Sequence, residues 1–171
     1  MYYGSTANGL YYSYDGGESW LFSSSLGKLP IAGIAIDPKD KCEIFVASGN
    51  KVYKSEDCTR TWSQTYFHND IKVGVSAIAI DHYNSDIVYI GSSKGELLKS
   101  ADEGKTWQGI GNLEDRVMEI AISPSDSRNL YVATQKKGLF NSLDAGGFQV
   151  RLVAGTHEHC HGLCLVRQRQ K

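Results

Sequence analysis

The sequence predicts an all-β protein made of four repeats of a four-stranded antiparallel unit, and three observations predict it. A box returns on a steady beat: Ser13-Tyr14-Asp15-Gly16-Gly17-Glu18-Ser19-Trp20, Ser55-Glu56-Asp57-Cys58-Thr59-Arg60-Thr61-Trp62, Ser100-Ala101-Asp102-Glu103-Gly104-Lys105-Thr106-Trp107, and the weaker Ser142-Leu143-Asp144-Ala145-Gly146-Gly147-Phe148. Their aspartates lie 42, 45 and 42 residues apart. A small-and-branched segment keeps the same beat at Ile34-Ala35-Ile36, Ile78-Ala79-Ile80 and Ile120-Ala121-Ile122. A third spine is Ile44-Phe45-Val46, Val88-Tyr89-Ile90 and Leu130-Tyr131-Val132, with Met1-Tyr2-Tyr3 in the matching place. A unit of this kind recurring every ~43 residues is the signature of a β-propeller blade.

Residues 31–67 show how one unit is built. Strand A is 31–36, where small and branched residues run almost without alternation, as for an inner strand buried on both faces. Asp37-Pro38-Lys39-Asp40 is a turn, because Pro fixes φ and Asp bonds its own backbone. Strand B is 44–48, Gly49-Asn50 a tight turn, and strand C 51–55. The box turns the chain into strand D, 61–66. Within the box, the Asp can accept backbone N–H groups that the turn leaves unpaired. Gly17, Gly104 and Gly146 permit positive φ. Trp20, Trp62 and Trp107 can bury a large area between neighbouring sheets. The second box departs from the pattern at Thr59 and the fourth is short before its aromatic; both predict looser turns.

Composition sets the outer limits. The chain of 171 residues suits one domain, and 18 Lys+Arg against 19 Asp+Glu, a net charge of -1, argues against a nucleic-acid partner. Hydrophobic residues at 41% and charged residues at 22% describe an ordinary globular chain. No apolar run approaches the roughly 20 residues of a membrane span. The first residues carry neither a basic nor an apolar targeting segment, so no signal peptide is read. Cys42, Cys58, Cys160 and Cys164 suit two disulfides or four thiols and leave the compartment open.

The boxes resemble Asp-box repeats, also called BNR repeats, of the form S-x-D-x-G-x-T-W. Such repeats occur in sialidases, xyloglucanase-type glycosidases, sortilin-like receptors and photosystem II assembly factors of the Ycf48 type. The resemblance implies a β-propeller over nearly the whole chain. It also implies a structural role for Ser13, Asp15, Gly17, Trp20, Ser55, Asp57, Trp62, Ser100, Asp102, Gly104, Trp107, Ser142, Asp144 and Gly146, on turns away from the ligand face.

Blade boundaries follow from the register: blade 1 is 1–27 plus 160–166, blade 2 is 28–68, blade 3 is 71–112 and blade 4 is 116–153. Residues 1–27 supply strands B, C and D only. Gly162-Leu163-Cys164-Leu165-Val166 falls on the strand-A register and could complete the first blade, closing a four-blade ring. Two alternatives stay open: a piece of a larger ring, or two chains sharing eight blades, with self-association if the ring is incomplete.

Hydrolysis of a glycosidic bond asks for two carboxylates facing one pocket, roughly 5–10 Å apart. In xyloglucanase-type relatives an acid lies in the loop after strand B, but the matching loops here (5–8, 48–50, 91–94, 134–137) hold neither Asp nor Glu. The three-arginine clamp of sialidases also finds no match. No P-loop, nucleophile elbow or dinucleotide fingerprint is present, so no cofactor is expected. His157, His159 and His161 lie at alternate positions and are weak metal-ligand candidates; as a loop they would simply be solvated. The D–A and B–C loops form the remaining candidate rim, carrying Tyr66, Phe67, His68, Asp70, Lys94, Asp115, Arg116, Lys136 and Lys137. Aromatics mixed with both charge signs suit a protein or carbohydrate ligand on a shallow surface. The expectation is therefore a non-catalytic binding or assembly module, with a fragment or relative of a glycoside hydrolase as the alternative.

Overall fold

The computed structural model describes residues 2–5 and 8–146. Four antiparallel sheets follow one another along the chain, with no helix among the described residues. Sheet 1 holds β1 (Tyr2–Ser5), β2 (Gly9–Tyr12) and β3 (Leu21–Phe22). Sheet 2 holds β4 (Gly33–Ile36), β5 (Ile44–Ser48), β6 (Lys51–Ser55) and β7 (Ser63–Phe67). Sheet 3 holds β8 (Val75–Ile80), β9 (Val88–Ser92), β10 (Glu96–Ser100) and β11 (Gln108–Asn112). Sheet 4 holds β12 (Val117–Ile122), β13 (Leu130–Thr134) and β14 (Leu139–Ser142). Each sheet is a meander with sequential strands paired, the blade pattern of a β-propeller.

Successive sheets stack face to face because each middle strand is apolar on both sides. On β5, Ile44 and Val46 join Leu10 in a core with sheet 1, while Phe45 and Ala47 join Val75 and Val88 in a core with sheet 3. On β9, Val88 and Ile90 face sheet 2 and Tyr89 faces sheet 4. All five residues of β5 and of β9 are buried. This corrects the reading of strand A as the strand buried on both faces. β4 is an edge strand and Ile36 is 36% exposed, whereas its neighbour β5 has a ladder on each side and a sheet on each face. The small residues of strand A serve close approach instead: a Cβ on Gly33 would lie 3.1 Å from Ile78 Cγ2.

Strands B and C of sheet 2 keep the bounds read from sequence. Strand A begins later, at Gly33, although the Ala32 N–H already bonds Ala47 O at 2.9 Å. Strand D begins at Ser63 rather than 61, because the Thr61 N–H is taken by the Asp57 carboxylate at 2.9 Å. Asp37 accepts the Lys39 N–H at 2.6 Å, as the Asp-Pro turn requires.

The four box turns share one network. In the third, Ser100 Oγ donates to Asp102 Oδ1 at 2.8 Å and accepts the Gly104 N–H at 2.8 Å. Asp102 also takes the Thr106 N–H and hydroxyl at 2.7 and 2.6 Å. These bonds, led by the Thr106 hydroxyl, hold the Asp102 carboxyl at about 2. Asp57 is held at about 2 by Thr61 in the same way, and Asp15 is pushed down by Ser19. In the fourth turn, Ser142 bonds Asp144 at 2.8 Å and the Gly146 N–H at 3.2 Å.

The second turn is not looser, against expectation. Thr59 has φ 71° and Cys58 φ 56°, yet the Thr59 N–H still bonds Ser55 Oγ at 3.0 Å. A disulfide from Cys58 to Cys42 in the A–B turn braces it, and Ser25 Oγ donates to Thr59 O at 2.6 Å. The tryptophans also divide. Trp107 donates to Thr65 O of sheet 2 at 3.1 Å and Trp62 packs on the sheet 1–sheet 2 core, whereas Trp20 is 42% exposed.

Candidate ligand-binding rim

The rim opposite the box turns is built from B–C turns and D–A loops that stitch neighbouring sheets together. The His68 N–H bonds Asn50 O at 2.8 Å, and Asn50 Nδ2 returns a bond to His68 O at 2.8 Å. The Ser93 N–H bonds Gly74 O at 2.8 Å, and the Leu113 N–H bonds Gly95 O at 2.9 Å. Gly95 has φ +94°, and a Cβ there would stand 2.6 Å from the Glu114 nitrogen. Short loops cross-linked in this way give a firm ridge among the described residues.

Two groups of the expected residues come together on it. At the sheet 2–sheet 3 junction, His68 Nδ1 accepts the Asp70 N–H at 3.0 Å, which points Nε2 towards Glu96 Oε2 at 3.3 Å, within ion-pair distance. Tyr66 packs edge-on against Trp107 at 5.7 Å; burial, then the Glu96 charge, pushes its phenol up. Asp70 caps its own loop by accepting the Lys72 N–H at 2.9 Å. Phe67, one residue before His68, is 55% exposed. Tyr66 and His68 border a shallow surface dimple, too tight to admit even a water molecule, that Ile90 and Leu98 also line.

At the sheet 3–sheet 4 junction, Asp115 accepts backbone N–H groups of Arg116, Lys136 and Lys137 at 2.9, 2.5 and 2.8 Å. Burial acts to raise this carboxyl, but the Lys136 and Lys137 bonds outweigh it and hold the group below the ordinary range. Lys137 Nζ bridges Leu113 O at 3.1 Å and Glu114 Oε2 at 3.2 Å. Arg116, Lys136 and Lys94 are exposed beside these groups.

Glu96 was not among the expected residues. It is the first residue of β10, two positions past the 91–94 loop searched for acids. Lys54 was also missed. It is buried on the opposite rim among Glu43, Glu56 and Glu103 at 2.9, 2.7 and 3.0 Å, with its ammonium 5.4 Å over the Phe45 ring. His157, His159 and His161 lie outside the described residues, as does the strand read at 160–166. Among the described residues no group of three or more His, Cys, Asp or Glu could hold a metal ion.

No family model matches the sequence. The chain is similar to a xyloglucanase of Hypocrea jecorina, 26% identical over 149 residues, covering 82% of this chain and 18% of that protein. It is also similar to a xyloglucanase of a Paenibacillus species, 33% identical over 94 residues, covering 44% of this chain and 9% of that protein. The chain thus spans less than a fifth of the curated relatives it matches. Among solved structures, an ancestral GH74 enzyme superposes with a TM-score of 0.72 at 19% identity, over 85% of this chain and 21% of that one. YCF48 bound to D1 peptide superposes with a TM-score of 0.59 at 13% identity, over 88% and 43%. The chain is a β-propeller with curated relatives among the xyloglucanases.

Proposed function

We propose that this chain is a non-catalytic propeller module whose rim binds carbohydrate of the xyloglucan class. The observation that carries this reading is the exposed Phe67 ring on the same rim as the His68–Glu96 pair. An apolar ring offers a stacking face to a sugar, and a carboxylate and an imidazole elsewhere on the rim offer partners to its hydroxyls. The rim acids support binding over hydrolysis. A general acid must keep its proton near the working pH, and Asp115 is driven the other way by the N–H groups it accepts. Asp70 and Glu114 are likewise engaged within the loops.

In the same reading the four turns are Asp-box turns and the blades divide at 1–27 plus 160–166, 28–68, 71–112 and 116–153. Calorimetric titration with xyloglucan oligosaccharides tests the function. Saturable binding weakened about tenfold by Phe67→Ala is the expected result, the loss of one stacking contact. Binding that is absent, or unchanged in that variant, contradicts the assignment of the rim.

A further inference from the structure

We propose that the sheet 3–sheet 4 junction of this rim is a separate subsite for the carboxylate of an acidic sugar, with Lys94, Arg116 and Lys136 as its contacts. The inference rests on the carbohydrate reading of the rim and adds a second class of sugar unit, a uronate, to the neutral one.

Backbone contacts gather these three residues round Asp115. Lys94 precedes Gly95, where a Cβ would stand 2.7 Å from the Asp115 nitrogen. Arg116 follows Asp115, and its carbonyl accepts the Gln135 N–H at 3.0 Å. The Lys136 N–H donates to Asp115 Oδ2 at 2.5 Å. The two lysines are also equivalent in the repeat. Val75 pairs with Ser92 and Val117 with Thr134, and each lysine follows its ladder at the same offset. Successive B–C turns thus present a cation in the same place, and Arg116 ends the loop that joins the two sheets. At the sheet 2–sheet 3 junction the positions of Arg116 and of the preceding lysine are held by Gly74 and Asn50. Both are uncharged, and Asn50 is bonded to His68.

The carboxylates of this junction are engaged within the protein. Asp115 accepts the N–H groups of Arg116, Lys136 and Lys137, and Glu114 is paired with Lys137 Nζ at 3.2 Å. Lys94, Arg116 and Lys136 are exposed and make no ion pair among the described residues. Positive charge is therefore in local excess here, within a chain of net charge -1. A guanidinium takes a carboxylate through two parallel bonds, and an ammonium adds a point charge beside it. The same rim carries the exposed Phe67 ring, a stacking face for a sugar. The anion that suits both features is a carboxylate borne on a sugar ring.

Calorimetric titration of the 171-residue chain with oligogalacturonate, with its methyl ester and with xyloglucan oligosaccharide tests this. Saturable binding of oligogalacturonate is expected, weaker as salt rises and absent for the ester. Arg116→Gln, and Lys94→Gln with Lys136→Gln, should each weaken it about tenfold or more, with circular dichroism unchanged. Xyloglucan binding should survive these substitutions and weaken in Phe67→Ala, so that the two subsites fail separately. Xyloglucan that binds while oligogalacturonate does not overturns the uronate subsite and leaves the neutral-sugar reading standing. The reverse result upholds the subsite and strikes that reading. An ester that binds as tightly as the acid overturns the proposal, as does unchanged binding in Arg116→Gln. Polyglutamate that binds as tightly as oligogalacturonate overturns the assignment to a sugar.

Discussion

Lys54 Nζ lies 3.0 Å from Glu103 Oε2, and this contact crosses from sheet 2 to sheet 3. Glu43 and Glu56 close on the same ammonium from within sheet 2. Burial by itself lowers a lysine, but here the bonds from Glu56, Glu43 and Glu103 prevail and raise it. Removing the cation strands three carboxylates in a half-buried site. Lys54→Ala should cost about 3–5 kcal/mol in urea unfolding, and a loss below about 1 kcal/mol would mean that the cluster behaves as a solvated surface network.

The box carboxylates impose an acid limit. Asp57 and Asp102 sit at about 2 when folded, below the unfolded value of about 4. A lowered folded value contributes stability above about pH 4 and loses it as pH falls towards about 2. Glu43, raised by burial, acts in the opposite sense. Urea midpoints at neutral pH and at about pH 3 should therefore differ more in wild type than in Asp102→Asn, which lacks the titrating group. Equal differences would remove the box from acid stability.

The second box is braced rather than flexible. Losing the Cys42–Cys58 bridge by a double Cys→Ala change should cost about 3 kcal/mol for a loop of this length. Thr59→Gly in that background should return about 1 kcal/mol, since a β-branched residue at φ 71° carries backbone strain. No recovery on thermal unfolding would say that the bridge acts elsewhere.

Two tryptophans in equivalent positions should respond unequally. Trp107→Ala removes a ring packed on Tyr66 and a bond to Thr65, and should cost about 3 kcal/mol. Trp20→Ala, at a position 42% exposed, should cost about 1 kcal/mol. Chemical denaturation of both variants compares them, and equal losses contradict the blade register.

Much of the fold was legible because turn chemistry is local. Gly49-Asn50 and Asp37-Pro38 mark the ends of β5, and the Ser-x-Asp spacing marks every C–D corner. Burial was less legible: the run of small residues in β4 resembles a doubly buried strand, yet coverage depends on which strand is central. The Lys54 cluster joins residues 43, 54, 56 and 103, and only sheet stacking brings the last of them near. At the rim, His68 and Asp70 were legible as loop residues, whereas Tyr66 lies within β7 and packs against Trp107. Glu96 was not, because it opens a strand and meets His68 only across two sheets. The disulfide that steadies Thr59 was hidden among equal cysteine pairings.

The central claim is that this rim binds carbohydrate and does not cleave it. The most direct measurement is release of reducing ends from xyloglucan by the purified chain at saturating substrate. No release above the buffer rate is expected under conditions where binding is saturated. Steady release that disappears in Glu96→Gln, Asp70→Asn or Asp115→Asn would contradict it and make the rim a hydrolytic site.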